Sequence, residues 1–190
     1  MKSRIRKKWV TGGIACLLLL CLPIEAFSQK ASIQEVQVKG THGNWKVSFS
    51  VDHCFTEKME EAIQTGMATA FTFYLHLYQV RTWWKDQRVA SLQFQHTIRY
   101  SPIQGEYQVT LGEKGITKVT QSFEEAKRWM AKVEETEIRP SSELKPNLLT
   151  YLRIKAELDP VTLPLHLEYL FFFVSLWDFQ TDWHIETISP

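Results

Sequence analysis

The sequence has almost no excess charge of either sign. Its 22 lysines and arginines stand against 21 aspartates and glutamates, a formal net charge of +1 over 190 residues. This balance supplies neither the basic field that gathers nucleic acid nor an acidic tail, so no nucleic-acid partner is expected. No repeat or low-complexity tract occurs, and 44% hydrophobic with 23% charged residues is typical of an ordinary folded protein. Disordered, collagen-like and coiled-coil proteins are therefore excluded.

Cysteine is also scarce. Three cysteines occur, and Cys54 is the only one that lies beyond the N-terminal apolar segment. The body of the protein therefore has no internal disulfide, even in an oxidising compartment. A hydrophobic core has to hold the fold, and a domain of this size buries roughly 70% of its unfolded surface without cross-links.

The common signatures of enzymes are missing as well. The chain has no Gly-x-Gly-x-x-Gly, no phosphate-binding loop, no His-Glu-x-x-His and no Gly-x-Ser-x-Gly. None of the six histidines stands at helical metal-ligand spacing from another, so we expect no metal and no cofactor. His96 interrupts an apolar strand face, where a histidine is more often a hydrogen-bonded core residue than a catalytic one. Cys54 follows Asp52 and His53, but consecutive strand side chains point to opposite faces, so the thiol is interpreted as buried and inert.

Basic and apolar residues are concentrated at the N-terminus. Five basic residues lie within the first eight positions, and the next 16 residues, Trp9–Ile24, carry no charge. The small residues Ala26 and Ser28 then occupy the two positions that a signal peptidase reads. The pattern predicts a cleaved signal peptide over residues 1–28 and a single globular domain over residues 29–190, exported to the periplasm or elsewhere outside the cytoplasmic membrane. The alternative is an uncleaved anchor in the inner membrane, although the apolar run falls short of the roughly 20 residues that span a bilayer.

Apolar and polar residues alternate with a period of two through most of the remaining chain. This alternation predicts half-buried strands, and the turn residues of 40–44 predict an antiparallel hairpin. The predicted strands lie near residues 33–38, 45–51, 71–78, 90–100, 107–111, 116–119 and 148–158. A last strand is expected to turn four side chains towards the core, namely Trp177, Phe179, Trp183 and Ile185.

Apolar residues at helical spacing predict helices between the strands. Ser122 and Glu125 form a capping box, in which each side chain satisfies the other's backbone donor. The predicted helices lie between a Thr56 cap and Gly66, over residues 123–133, and over the apolar stretch 163–176, which is too short for a membrane span. Three acidic residues are expected at the solvated end of the second helix, namely Glu134, Glu135 and Glu137. The fold class is therefore α+β, mainly an antiparallel sheet or a partly closed sandwich with two or three packed helices.

One charged segment contains two consecutive tryptophans. Arg81, Trp83, Trp84, Asp86 and Arg88 lie near the tip of the hairpin that the two long strands form. Two adjacent side chains of an extended chain cannot both face one core, so one ring is expected at the surface or edge. Exposed aromatic and arginine side chains are typical of binding hot spots, and these five residues are the candidate partner- or ligand-binding site. The alternative is structural: an arginine lies over a ring as a cation–π brace, and the pair caps the sheet.

Residues spaced along the whole exported part resemble a known bacterial family. The set comprises Glu61-Ala62, Gly66, Arg81, Trp83-Trp84, Asp86, Val89-Ala90, Tyr100, Tyr107, Phe123, Glu125-Ala126, Tyr151, Arg153, Leu158-Asp159, Leu163-Pro164, Trp177 and Trp183. In order and spacing it resembles the exported family catalogued as domain of unknown function 4390. The resemblance implies a single exported domain with no established activity or catalytic residues. It also suggests a membrane sensor kinase of the nitrogen-regulation type as a partner.

Two functions remain open from the sequence. The favoured one is an exported, non-catalytic binding or interaction domain of the cell envelope, which contacts another envelope protein or a small ligand through the tryptophan hairpin. The alternative is an enzyme of unrecognised type, built from dispersed polar groups such as His76, Asp86 and His96. A flat aromatic patch would favour binding, and a compact pocket with a titrating group shifted by burial would favour catalysis.

Overall fold

Nine strands and two helices make up the described part of the chain, which in the computed structural model comprises residues 30–41, 44–141, 144–145, 147–159 and 179–188. The strands are β1 (Ser32–Thr41), β2 (Asn44–Asp52), β3 (Thr69–Gln79), β4 (Gln87–Ser101), β5 (Glu106–Leu111), β6 (Ile116–Thr120), β7 (Lys132–Ile138), β8 (Thr150–Leu158) and β9 (His184–Ile188). The helices are α1 (Glu57–Gln64) and α2 (Phe123–Ala131). Three sequence predictions lie outside the described residues: the signal peptide, the helix over 163–176 and the position of Trp177.

The strands form two antiparallel sheets. The smaller sheet has the order β1-β2-β7, and the larger has the order β6-β5-β4-β3-β8-β9. Alternate residues of β2 and β3 are buried, and Phe49 meets Phe73 across the two sheets with ring centroids 5.7 Å apart. The apolar core therefore lies between the sheets, and the predicted α+β class with mainly antiparallel strands is confirmed.

The larger sheet has a second side, which we call the outer face. Because strand side chains alternate, the residues between the core positions of β3 and β8 point to this face. They are half-buried and include a column of aromatic and charged groups, namely Tyr74, His76, Tyr78, Tyr151, Arg153 and Lys155. Cross-strand pairing sets Tyr78 beside Tyr151 and His76 beside Arg153. The outer face is thus an aromatic and cationic surface, unlike the uncharged, apolar core side of the same strands.

The first helix forms as predicted, and the second is capped differently. Thr56 accepts a hydrogen bond from the Met59 amide at the start of α1. Ser122 accepts one from the Glu125 amide (3.3 Å) at the start of α2, which is half of the predicted capping box. The other half is wrong, because the Glu125 carboxylate accepts from the Thr120 hydroxyl at 2.5 Å, and that hydroxyl also accepts from the Ser122 amide. Thr120, at the end of β6, thus accepts from the Ser122 amide in place of the Glu125 carboxylate.

The predicted helix over 123–133 ends early, at Ala131. Lys132 is already extended (φ −111°, ψ 127°), and the chain continues directly into β7. Val133 pairs with Phe49 of β2, and Ile138 pairs with Trp45. A bulge with a positive φ of 50° at Glu135 interrupts the period-two pattern. The sequence pattern therefore did not predict this strand. The expected helical end at Glu134, Glu135 and Glu137 is therefore wrong, since all three belong to β7.

The last strand is also oriented differently from the prediction. Phe179 does point inward and contacts Phe71 (4.8 Å between ring centroids), but Ile185 is 59% exposed. Glu157 of β8 pairs with Gln180, and Ile154 pairs with His184. Between these two pairs the chain advances by three residues on β8 but by four on the last segment, which therefore contains one extra residue. The extra residue reverses the alternation, because a shift of one position moves every following side chain to the other face. Trp183 therefore lies on the outer face, against His76 (5.1 Å between ring centroids).

Candidate functional site

A seven-residue connection, Val80–Asp86, joins β3 to β4 and is called the tryptophan loop below. It is closed by the pairing of Gln79 with Gln87 at the ends of the two strands. The structure brings all five sequence-predicted site residues together here: four lie in the loop, and Arg88 follows at the start of β4 beside Tyr78. All five are exposed, namely Arg81, Trp83, Trp84, Asp86 and Arg88.

Both tryptophans of the loop lie at the surface. Trp83 is 89% exposed and Trp84 is 80% exposed, although the sequence led us to expect one exposed ring. The difference arises because residues 82–84 form a bend, so the strict alternation of extended chain does not apply to them. Two large apolar side chains therefore face solvent next to one another. Adjacent exposed apolar side chains are typical of interaction sites, whereas single ones are common on any protein surface.

Asp86 fixes one side of the tryptophan loop to the outer face. Its Oδ2 accepts a hydrogen bond from the Tyr151 hydroxyl (2.8 Å), and its Oδ1 accepts one from the Arg81 amide (3.4 Å). Burial and this bond to Asp86 raise the pKa of Tyr151 to about 12, so its hydroxyl remains a donor at physiological pH. The Tyr151 ring stacks on Tyr78 at 5.4 Å with an interplanar angle of 12°. The carboxylate thus links the loop to a rigid pair of rings.

The segment that precedes β8 fixes the other side of the loop. The Gln79 side-chain amide donates to the Lys145 carbonyl (3.0 Å) and accepts from the Lys145 backbone amide (3.3 Å). The Val80 amide donates to the Leu149 carbonyl (2.9 Å). These bonds hold Lys145 and Leu149 beside the base of the loop. The base of the loop is therefore tied to two different parts of the chain.

A shallow cleft of about 390 Å³ lies between the tryptophan loop and this segment. The cleft is lined by Arg81, Thr82, Trp83, Trp84, Lys145, Asn147 and Leu148. Two of these side chains are cationic and none is acidic. The lining therefore suits a partner group that combines an apolar surface with neutral or negative polar atoms.

The structural explanation for the tryptophans, a cation–π brace, is not seen among the described residues. The cations that do lie over rings in this part of the chain are Lys118, Lys127 and Arg153. Their partners are rings of the core periphery and the outer face, and neither Trp83 nor Trp84 is one of them. The indoles thus make no stabilising contact of the kind that the structural explanation requires.

The dispersed polar groups of the enzyme hypothesis do not meet. His76 and Asp86 belong to the outer face and the tryptophan loop, whereas His96 is fully buried on the core side of β4. Its Nε2 lies 2.8 Å from Glu113 Oε2, and its Nδ1 lies 3.0 Å from the Met130 carbonyl. Burial raises the pKa of Glu113, but the hydrogen bond and charge of His96, with smaller effects of a backbone hydrogen bond and the Lys114 charge, outweigh it and lower that pKa below its ordinary value. His96 is thus a hydrogen-bonded core residue, as interpreted from the sequence.

Cys54 is also unsuited to nucleophilic chemistry. The residue is 2% exposed, and its Sγ donates to the Val51 carbonyl at 3.3 Å. Burial, opposed by the backbone hydrogen bond, raises the pKa of the thiol to about 12, so the reactive thiolate is scarce at neutral pH. The buried thiol predicted from the sequence is confirmed.

The described ranges hold neither a cluster of metal-ligating side chains nor a membrane-spanning helix. Over those residues, no group of three or more histidine, cysteine, aspartate or glutamate side chains is arranged to hold a metal ion. The helices of the same residues are too short and too polar to cross a bilayer.

The fold and the loop together define a class: a two-sheet α+β domain that presents a paired-tryptophan loop and an aromatic outer face. The chain belongs to the family described as Domain of unknown function (DUF4390), which matches residues 28–187. No curated protein and no solved structure matches the chain. The family description assigns no activity, so function has to be inferred from the residues described above.

Proposed function

We propose that this protein is an exported, non-catalytic binding domain of the bacterial cell envelope that contacts a partner protein through the tryptophan loop. The observation that carries the proposal is the exposure of two adjacent tryptophans, at 89% and 80%, on a loop tied down at both ends. Tryptophan and arginine are the residues most enriched at the energetic centre of protein interfaces. The sensor kinase suggested by the family resemblance is the first candidate partner.

The energetics favour association over solvent exposure. Burying an aromatic side chain of this size contributes on the order of 2–3 kcal/mol relative to leaving it in water. The indoles gain little of this stabilisation within the described part of the chain, since most of their surface faces solvent. Because the loop is already fixed by Asp86 and Gln79, little conformational entropy is lost when a partner covers the rings.

The position of the loop favours a protein partner over the bilayer surface. Lys30, the first described residue, forms a 2.8 Å ion pair with Asp182, beside the point where Thr181 bonds to Ala156 of β8. The tryptophan loop lies at the other end of β8, next to Thr150. Six residues of strand separate these points, about 20 Å. An uncleaved N-terminal segment would therefore join the described domain at the end of β8 opposite to the tryptophans.

Replacing Trp83 or Trp84 with alanine is expected to reduce partner capture at least tenfold, because each removes a hot-spot side chain. The melting temperature should stay within about 2 °C, since exposed substitutions change stability by about 0.5 kcal/mol or less. The measurement is cross-linking in intact cells, affinity purification and mass-spectrometric identification of the captured protein, with thermal unfolding of each purified variant.

Ile103 provides a matched control. It is 99% exposed in the turn between β4 and β5, so Ile103→Ala removes an exposed apolar side chain from a different turn. We expect this variant to retain both partner and melting temperature. Unchanged capture by the Trp83→Ala/Trp84→Ala double variant would contradict the proposal, and a large fall in its melting temperature would show that the indoles serve the fold.

A further inference from the structure

Arg153 lies at the centre of the outer face without an acidic partner among the described residues. Its guanidinium lies over the Trp183 ring at 4.7 Å and over the Tyr78 ring at 5.9 Å. Its Nε is buried and has no hydrogen-bond partner. Such a group is unusual, because leaving a buried donor unsatisfied costs free energy. The two rings thus hold the guanidinium of this half-buried side chain in place, with its Nε shielded from solvent and unsatisfied.

A second guanidinium lies across β3. Arg88 is paired with Tyr78 on one edge of this strand, and Arg153 is paired with His76 on the other. Burial lowers the pKa of His76, and the positive charges of Arg88 and Arg153 lower it further. Two positive charges thus flank His76 on the outer face.

Two carboxylates of the tryptophan loop and the outer face, Asp86 and Glu157, are already engaged. Asp86 accepts from Tyr151 and from the Arg81 amide. Glu157 accepts from Tyr74 at 2.5 Å and pairs with Lys155 at 2.8 Å. Within the described ranges, neither Arg88 nor Arg153 forms an ion pair. This part of the outer face therefore has uncompensated positive charge.

We propose that the outer face binds an oxyanion, a carboxylate or a phosphate, through the Arg153 guanidinium, with Arg88 as a second cation. The planar fork of an arginine matches the oxygens of either group and can bond to them in bidentate fashion. Tyr78 and Trp183 limit the rotation of the guanidinium and shield it from water, which strengthens the interaction. The site requires no particular partner protein, and it adjoins the tryptophan loop through the bond between Asp86 and Tyr151.

The test is a titration of the purified domain, followed by the arginine Nε–H signals in ¹⁵N–¹H spectra. Sodium phosphate and sodium acetate are added separately at constant ionic strength against sodium chloride. We expect the Arg153 signal to shift saturably with at least one of the two anions, and their relative affinities identify the oxyanion source. Arg88→Gln should weaken the affinity about tenfold, since a charge-assisted contact is lost.

Arg99→Gln is the matched control, because Arg99 is exposed on the outer side of β4 and pairs with Gln108, away from β8. It should leave the titration unchanged, whereas Arg153→Gln should abolish saturable binding. If Arg153→Gln fails to fold, the wild-type and Arg88→Gln titrations still decide the matter. An Arg153 signal that responds to neither anion beyond the chloride control would show that this residue is only a cation–π brace and would overturn the proposal.

Discussion

Replacing His96 with leucine is expected to lower the free energy of unfolding by about 3–5 kcal/mol, the usual cost of removing one partner from a buried pair that includes a carboxylate. The His96 side chain is 0% exposed and that of Glu113 is 3% exposed. The Met130 carbonyl can only accept, so Nδ1 donates to it and Nε2 faces the Glu113 carboxylate. Without the imidazole, the buried carboxylate loses its side-chain partner, and its Oε1 already lacks one in the described structure.

The measurement is denaturant unfolding of the purified domain. His184 supplies a matched control, because it also pairs with a glutamate, Glu186, at 3.3 Å, but both side chains are more than 30% exposed. His184→Leu should cost no more than about 1 kcal/mol. The double variant His96→Leu/Glu113→Leu should recover part of the loss. Equal effects at His96 and His184 would contradict the interpretation of His96–Glu113 as a buried pair.

Stability should also depend on pH through Glu113. The folded-state pKa of this carboxyl is lowered, so its contribution to stability is fully present above the ordinary glutamate pKa. That contribution is lost as the pH falls through the lowered, folded-state pKa. We therefore expect a fall in unfolding free energy below about pH 4.5 that is smaller in Glu113→Gln than in the native chain.

Replacing Phe73 with alanine is expected to cost about 3–5 kcal/mol as well, through a cavity between the two sheets. Phe73 is 0% exposed and lies within 6 Å, between ring centroids, of Phe49, Phe94 and His96. It therefore joins the smaller sheet to the larger one and packs against the buried pair. Unfolding in denaturant measures the loss, with Trp83→Ala as the aromatic control that should cost about 0.5 kcal/mol or less. A Phe73→Ala loss below about 1 kcal/mol would contradict a shared core between the sheets.

The sequence was a good guide wherever one face of a strand is buried. The alternation through residues 71–78 and 90–100 predicted β3 and β4, because a buried face repeats every second residue. It failed at two places where one residue interrupts that period. The bulge at Glu135 concealed β7, and the extra residue before His184 reversed the last strand. Such irregularities depend on the partner strand, which the sequence does not identify.

The candidate site was predictable only where its residues are neighbours in the chain. The tryptophan loop was found because the five predicted site residues lie together where two long strands meet. The sequence did not predict the roles of three residues whose contacts join distant segments. Tyr151 and Arg153 belong to the outer face, and Glu113 pairs with His96 in the core. A signal did exist for the outer face, since Tyr74, His76 and Tyr78 alternate with the core residues of β3. Glu113 follows Gly112, where an added Cβ would lie 2.4 Å from the Gln95 carbonyl, a contact that only the folded structure shows.

Site-specific photocross-linking in intact cells tests the role of the tryptophan loop most directly. A benzophenone amino acid is placed at position 85, an exposed neighbour of the two tryptophans, in one strain and at position 103, on the opposite turn, in another. We expect irradiation to join position 85 to one envelope protein of defined mass, identified by mass spectrometry, and to give no such adduct from position 103. Adducts from position 103 alone, or no adduct from position 85 in cells that contain the folded domain, would contradict a partner-binding role for the loop.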